Sequence, residues 1–375
     1  MAPPQRSAEA DDTVLKSRDG ANVYVANAGS STISVLRLAQ DGSLDRIEEV
    51  AVPGSSEPSS LSLPLAVSPD RSFLYAALRT PPFSVSTFRI DPENGRLSCL
   101  ATEILPYSTP FITTDRIGRH LLSASYHDGS VAVNAIDTDG TVIAPARQVI
   151  AAGPKMHCIV IDASNRYVYA ACLGGDAIFR YDFDARAGVL SAEPASATLT
   201  QPMTGPRHLA IHPNGRFLYA IGELDATITA YSLEPQTGAL REIQRIGMLP
   251  QGFQGSPSAA DLHLSPDGRF LYGSERSSST IAGFSIEQST GMLVPSGSVP
   301  VERAPRAFAI DPRGRLLLAL GIDSDRLGVY AIDKMGGLSK IASHPTGRAP
   351  SWIEVIDPSG LVRPSPARSP EAPGI

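Results

Sequence analysis

Two residues bracket the stretch "GPRHLAIHPNGRFLYAIGEL": Arg207 near its start and Glu223 near its end. Between them, two alternating apolar runs flank the breaker "PNGR", the signature of a β-hairpin. The start of one hairpin strand and the end of the other meet at the open end, so the pattern puts a cation beside an anion there. Guanidinium offers a fork that matches carboxylate or phosphate. The chemistry within reach is acid–base work on a small anion. Other chemistries lack their motifs: the chain holds no GxSxG, no HExxH and no GxxxxGK[ST]. Its Asp-rich turns "SPD" and "DPENG" lack calcium-loop spacing. Neither a metal nor a cofactor is expected.

The hairpin recurs. "LAVSPDRSFLYAAL", "FITTDRIGRHLLSAS", "IVIDASNRYVYAACL", "LHLSPDGRFLYGSE" and "FAIDPRGRLLLALG" share its form, at intervals of about 50 residues. Each is followed by a second apolar alternation, an acidic turn and "G-L", as in "STISVLRLAQDGSL" and "SVSTFRIDPENGRL". Each unit therefore predicts four antiparallel strands. The N-terminal "ANVYVANAGSSTISVLRL" lacks a first strand, and the C-terminal "APSWIEVIDPSG" supplies one and stops. Together they complete a seventh unit. A ring explains split terminal units, because radial sheets bury both faces against their neighbours and closure removes the open edges. The expected fold is all-β, a seven-bladed β-propeller over residues 21–360, closed by pairing the C-terminal strand into the N-terminal blade. A two-domain sandwich is the alternative.

In such a ring the first strand of each unit lines the channel. Its start, and the end of the second strand, share one mouth. Counting from Tyr75, Leu122, Tyr169, Tyr219, Tyr272 and Leu318 as markers, the first-strand starts are Leu63, Pro110, His157, Arg207, Ala260 and Arg306. The second-strand ends are Arg79, Tyr126, Leu173, Glu223, Arg276 and Ile322. Trp352 is the equivalent residue of the closing unit. One mouth thus collects Arg79, Arg207, Arg276 and Arg306 with His157, Tyr126 and Trp352, and His127, His208 and Asp261 lie within a residue of these positions. Four arginines at one opening form an anion-concentrating funnel whatever the net charge. His212 and His263 fall further along their strands and read as packing residues, and Trp352 as a hydrophobic wall.

Composition bounds the rest. The formal net charge of −6 argues against a nucleic-acid partner. Gly and Pro, 32 each, fit many short strands and turns. Cys99, Cys158 and Cys172 form neither a disulfide framework nor a metal knuckle and suggest a reducing compartment. No secretory apolar region and no membrane-spanning run is visible, so a cytoplasmic location without membrane partners is expected. Residues 1–20 and the Pro-rich 361–375 read as disordered extensions.

The combination of "GPRH", "GEL" and "ER" on seven units with "SPDGRFLY" turns resembles the seven-bladed propeller lactonases. That family includes 6-phosphogluconolactonases and carboxymuconate cyclases. The resemblance spans about residues 21–360 and departs from the phosphogluconolactonase branch at His127 in "SYHDGSV". It implies a site of His157 in "KMHCIVID", Arg207, Glu223 and Arg276 in "ERSSS". It also implies hydrolysis of a small anionic lactone such as 6-phospho-D-glucono-1,5-lactone, by a monomer or weak homo-oligomer. Arg207 and Arg276 would then hold the anion and the developing oxyanion. His157 or Glu223 would be the general base, His157 being favoured by its reference pKa near neutrality. Arg79, Tyr126, His127, His208, Asp261, Arg306 and Trp352 would contact substrate. The same residues would serve a lactone-forming cyclase. A binding propeller without enzymatic activity is a rival, disfavoured because the units diverge most at the mouth.

Overall fold

The computed structural model describes residues 20–54 and 62–358. The tail at 361–375, and all of the N-terminal extension but Gly20, lie outside them. Seven sheets form seven blades. Alternating apolar residues give each blade two buried faces, and the blades stack face against face. Among the described residues the core divides into seven clusters, one in each joint between neighbouring blades.

The innermost strands of blades 2 to 7 are Leu65–Val67, Phe111–Thr114, Met156–Ile161, Pro206–Ile211, Ala259–Leu264 and Pro305–Ile310. Blade 1 closes the ring as expected. Pro350–Ile356 pairs antiparallel with Ala21–Asn27, which leads to Thr32–Leu38 and Leu44–Ala51. Blade 4 departs from the four-strand expectation. Its outer edge is split between Val189–Leu190 and Ser196–Leu199, both paired to Ala177–Asp184. The connection between those two short strands carries Pro194, which has no amide hydrogen to continue a ladder.

The marker tyrosines, with Tyr24 in the second strand of blade 1, tie blade to blade. The hydroxyls of Tyr24, Tyr75, Tyr169, Tyr219 and Tyr272 donate to the carbonyls of Gly95, Gly140, Gly238, Gly291 and Gly336, at 2.8–3.0 Å. Each acceptor sits in a turn of the next blade. Gly238 has φ +67, and a Cβ there would meet the Tyr167 ring at 2.6 Å, so both conformation and space call for glycine. In blades 3 and 7 the marker is Leu122 or Leu318, which packs into the joint without such a bond. Tyr169→Phe is expected to cost about 1–2 kcal/mol, because the buried Gly238 carbonyl loses its donor. Urea unfolding measures this; an unchanged midpoint would show that water replaces the hydroxyl.

Candidate active site

The inner strands do not run regularly into the mouth. In blade 4 the register passes from Met156↔Cys172 to Cys158↔Ala171, skipping His157. In blade 5 it passes from Pro206↔Gly222 to His208↔Ile221, skipping Arg207. Blade 6 skips Ala260 and Asp261, and blade 7 skips Arg306. An extra residue bends the strand and re-aims its side chain. This is how the consecutive Arg207 and His208, which a regular strand would point to opposite faces, come to touch each other.

A continuous polar chain results. Glu223 Oε1 accepts from Arg276 Nη2 at 2.8 Å, and its Oε2 lies 3.0 Å from Arg207 Nε. Arg207, 2% exposed, also donates from Nη1 to the Ala260 carbonyl and to His208 Nε2, the latter at 3.0 Å. His208 Nδ1 donates to Asp261 Oδ1 at 2.8 Å. Arg276 is set by its own turn. Its Nε donates to the Ser258 carbonyl, while the fully buried Glu275 accepts from the amides of Ser258, Ser277 and Ser278. Arg79, also buried, donates to Ser62 and Ser108 hydroxyls at 2.9 and 3.2 Å.

The electrostatics follow from burial and crowding. Burial, with Arg276 adding to it and Glu223 opposing it, brings the Arg207 guanidinium down to about 10. Burial and Arg207 bring Arg79 to about 10. Burial would raise the Glu223 carboxyl, but Arg207 and Arg276 hold it below its ordinary range. Burial and Arg207 push His157 well below the usual imidazole value, and push His208 down to about 4 against the pull of Asp261. Both imidazoles are therefore neutral at pH 7. His157 is 4% exposed, packs against the His208 and Tyr126 rings at 5.2 and 6.1 Å, and has no partner for Nδ1.

Below the mouth the channel opens into a cavity of about 410 Å³. His208, Asp261, His263, Trp352 and Glu354 line it, with Phe111 placed edge-on to both His208 and Trp352 at 5.3 Å. Burial raises the Glu354 carboxyl to about 7, although Trp352 Nε1 donates to it at 3.0 Å.

The structure brings together Arg79, Arg207, Glu223, Arg276, His157, His208 and Arg306, as the offsets require. Tyr126 stands at the edge, half-buried, with Lys155 over its ring at 5.8 Å. Several expectations need correction. His127 is exposed and touches the Tyr126 ring, so it sits on the rim outside the arginine cluster. His208 and Asp261 are buried with their polar atoms engaged and hold Arg207 from below, on the wall of the cavity. Trp352 is a wall with a polar edge, since its indole N–H serves Glu354. His212 does pack, 3% exposed and bonded to the Gly268 carbonyl. His263 does not: its side chain is 42% exposed to the cavity, and Nε2 meets Asp261 Oδ2 at 3.1 Å. Glu354 was missed. Both follow a named residue by two positions, Asp261 and Trp352, and the two-residue period of a strand is the signal that finds them.

The comparisons agree with this geometry. A family model described as "Lactonase, 7-bladed beta-propeller" matches residues 56–355. The chain belongs to this lactonase family. Its relatives include a 6-phosphogluconolactonase of Pectobacterium carotovorum, 38% identical over 335 residues, covering 89% of this chain and 98% of that one. A 6-phosphogluconolactonase of Photorhabdus laumondii is also 38% identical, with the same coverage. Among solved structures, the periplasmic gluconolactonase of Pseudomonas aeruginosa superposes with a TM-score of 0.80 at 30% identity, covering 90% of this chain and 99% of that one. No helix among the described residues is long and apolar enough to cross a membrane.

Proposed function

We propose that this lactonase-family chain hydrolyses 6-phospho-D-glucono-1,5-lactone to 6-phosphogluconate. The observation that carries the reading is a neutral, buried imidazole, His157, set among four guanidiniums and one carboxylate at the channel mouth. The names of the relatives supply the substrate. A reducing, cytoplasmic setting is part of the reading, supported by the free thiols of Cys99, Cys158 and Cys172.

The chemistry uses no covalent intermediate. A water attacks the ring carbonyl and gives a proton to an imidazole nitrogen of His157. Arg207 and Arg276 stabilise the oxyanion as it forms. The bond from carbonyl carbon to ring oxygen then breaks, and His157 returns its proton to the leaving alkoxide. Glu223 acts as a clamp, because both of its oxygens already face arginines. The depressed basicity of His157 suits the second step, in which a good acid is needed.

Acid release from the phosphorylated lactone, measured against its spontaneous rate, tests this. His157→Ala is expected to lower kcat by about 10²–10⁴-fold. The acid limb of the pH–rate profile should lie well below 6.5, since the free base is lost only as pH falls through the lowered pKa. A wild-type rate in His157→Ala removes the general-base role. Glu223→Gln should cost about 10²-fold by releasing both arginines from their shared anchor; an undiminished rate would show that they need none.

A further inference from the structure

We propose that Arg306 is the phosphate-binding residue of the mouth, and that it selects lactones bearing a phosphate over the same lactones without one. The inference rests on the lactonase reading above and concerns a residue that this mechanism does not use.

Arg306 differs from the other three arginines of the mouth. Arg207, Arg276 and Arg79 are all held, by Glu223, by backbone carbonyls or by serine hydroxyls. Arg306 is half-buried and, among the described residues, makes neither a hydrogen bond nor an ion pair. It is aimed into the mouth by the bulge that skips it between Pro305↔Gly321 and Ala307↔Leu320. Its surroundings are unfavourable to it: burial and the charges of Arg207, Arg276 and Arg79 disfavour its protonated form, and Glu223 opposes them less strongly. A cation placed where neighbours repel it costs free energy unless a ligand compensates.

The charge count identifies the ligand. Four guanidiniums against the carboxylates of Glu223 and Asp261 leave two positive charges. A phosphate carries about −1.5 to −2 at pH 7, so it fills that deficit, while a single carboxylate leaves it half open. Ring order supplies the direction. Arg306 of blade 7 and Arg79 of blade 2 flank blade 1, whereas His157 in blade 4 lies across the mouth from them. A lactone with its carbonyl at His157 therefore extends its far end toward Arg306 and Arg79. The guanidinium fork matches phosphate oxygens there.

The test compares glucono-1,5-lactone with its 6-phosphate on the full chain, as wild type, Arg306→Ala and Arg306→Lys. Wild type is expected to favour the phosphorylated lactone in kcat/KM. Arg306→Ala should reduce that preference by about 10–100-fold, mainly through KM. Arg306→Lys should restore part of it. The alanine protein should also melt higher, since repulsion is relieved and no bond is lost. No preference in wild type, or a fall of the same factor on both lactones in Arg306→Ala, overturns the proposal. If wild type hydrolyses neither lactone, the activity reading fails and calorimetry decides this one. Tighter binding of inorganic phosphate and 6-phosphogluconate by wild type than by Arg306→Ala, by tenfold or more, supports it. Equal affinity, or no binding by either protein, overturns it.

Discussion

Arg207→Ala is expected to lower kcat/KM by about 10³-fold or more. The guanidinium joins three elements at once: the Ala260 carbonyl of blade 6, the Nε2 of His208 and the carboxylate of Glu223. Its removal takes away a donor to the oxyanion. It also leaves His208 without its donor and lets Glu223 turn wholly to Arg276. Arg207→Lys keeps a charge but not the fork, and should recover only a small part of the rate. A second readout separates this role from simple damage to the fold. After burial itself, the charge of Arg207 does most to depress His157. Without it the imidazole becomes easier to protonate, so the acid limb of the pH–rate profile should move upward toward 6.5. A variant with normal rate, or with an unmoved limb, would set aside the electrostatic role.

Asp261→Asn is expected to destabilise the ring by about 3 kcal/mol, read as a lower midpoint in urea. Four N–H groups converge on the Asp261 carboxylate: His208 Nδ1 and the Leu262 amide on Oδ1, the Phe308 amide and His263 Nε2 on Oδ2. These donors come from blades 5, 6 and 7. An asparagine of the same shape must present an NH₂ to two of them, whichever way it is turned. The pH dependence has a definite sign. Burial would raise this carboxyl, but His263 and the hydrogen bonds from both histidines hold it well below its ordinary value. Its contribution is therefore complete above the unfolded value near 4 and is lost as pH falls from there through the folded one. The stability gap between wild type and variant should be widest at neutral pH and should begin to narrow as pH falls below about 4. A gap that does not narrow at all between about pH 5 and pH 3, or no gap at pH 7, contradicts the role assigned to the charge.

Much of this was legible in the residues themselves. The hairpin repeat located Arg207, Glu223, Arg276 and Arg306 at one end of the channel, and the split terminal units implied the closure. Both depend only on spacing, which repetition preserves. The offset count could not see the bulges, because a skipped residue changes where a side chain points without changing where it stands in the chain. For that reason His208 and Asp261 were read as lining the mouth beside Arg207, when they support it from beneath. His127 lies one position beyond the last residue that the offset places at the site: its neighbour Tyr126 packs against His157, and His127 packs against Tyr126 from the rim. His263 was read as packing because it lies further along its strand, but the channel widens there into the cavity it lines. Which arginine lacks a partner is also invisible in a sequence, since it depends on contacts between blades.

The closure of blade 1 by Pro350–Ile356 has a bearing on how the protein comes into being. Ala21–Asn27 is made before six further blades and waits for a neighbour, Pro350–Ile356, that is made after them. Until Pro350–Ile356 arrives, blade 1 exposes a naked row of amide and carbonyl groups, a target for mispairing. The circle, and with it the indole of Trp352 beneath the mouth, exists only once Pro350–Ile356 has been made, so until then the arginines of blades 2, 5, 6 and 7 have no chamber to guard.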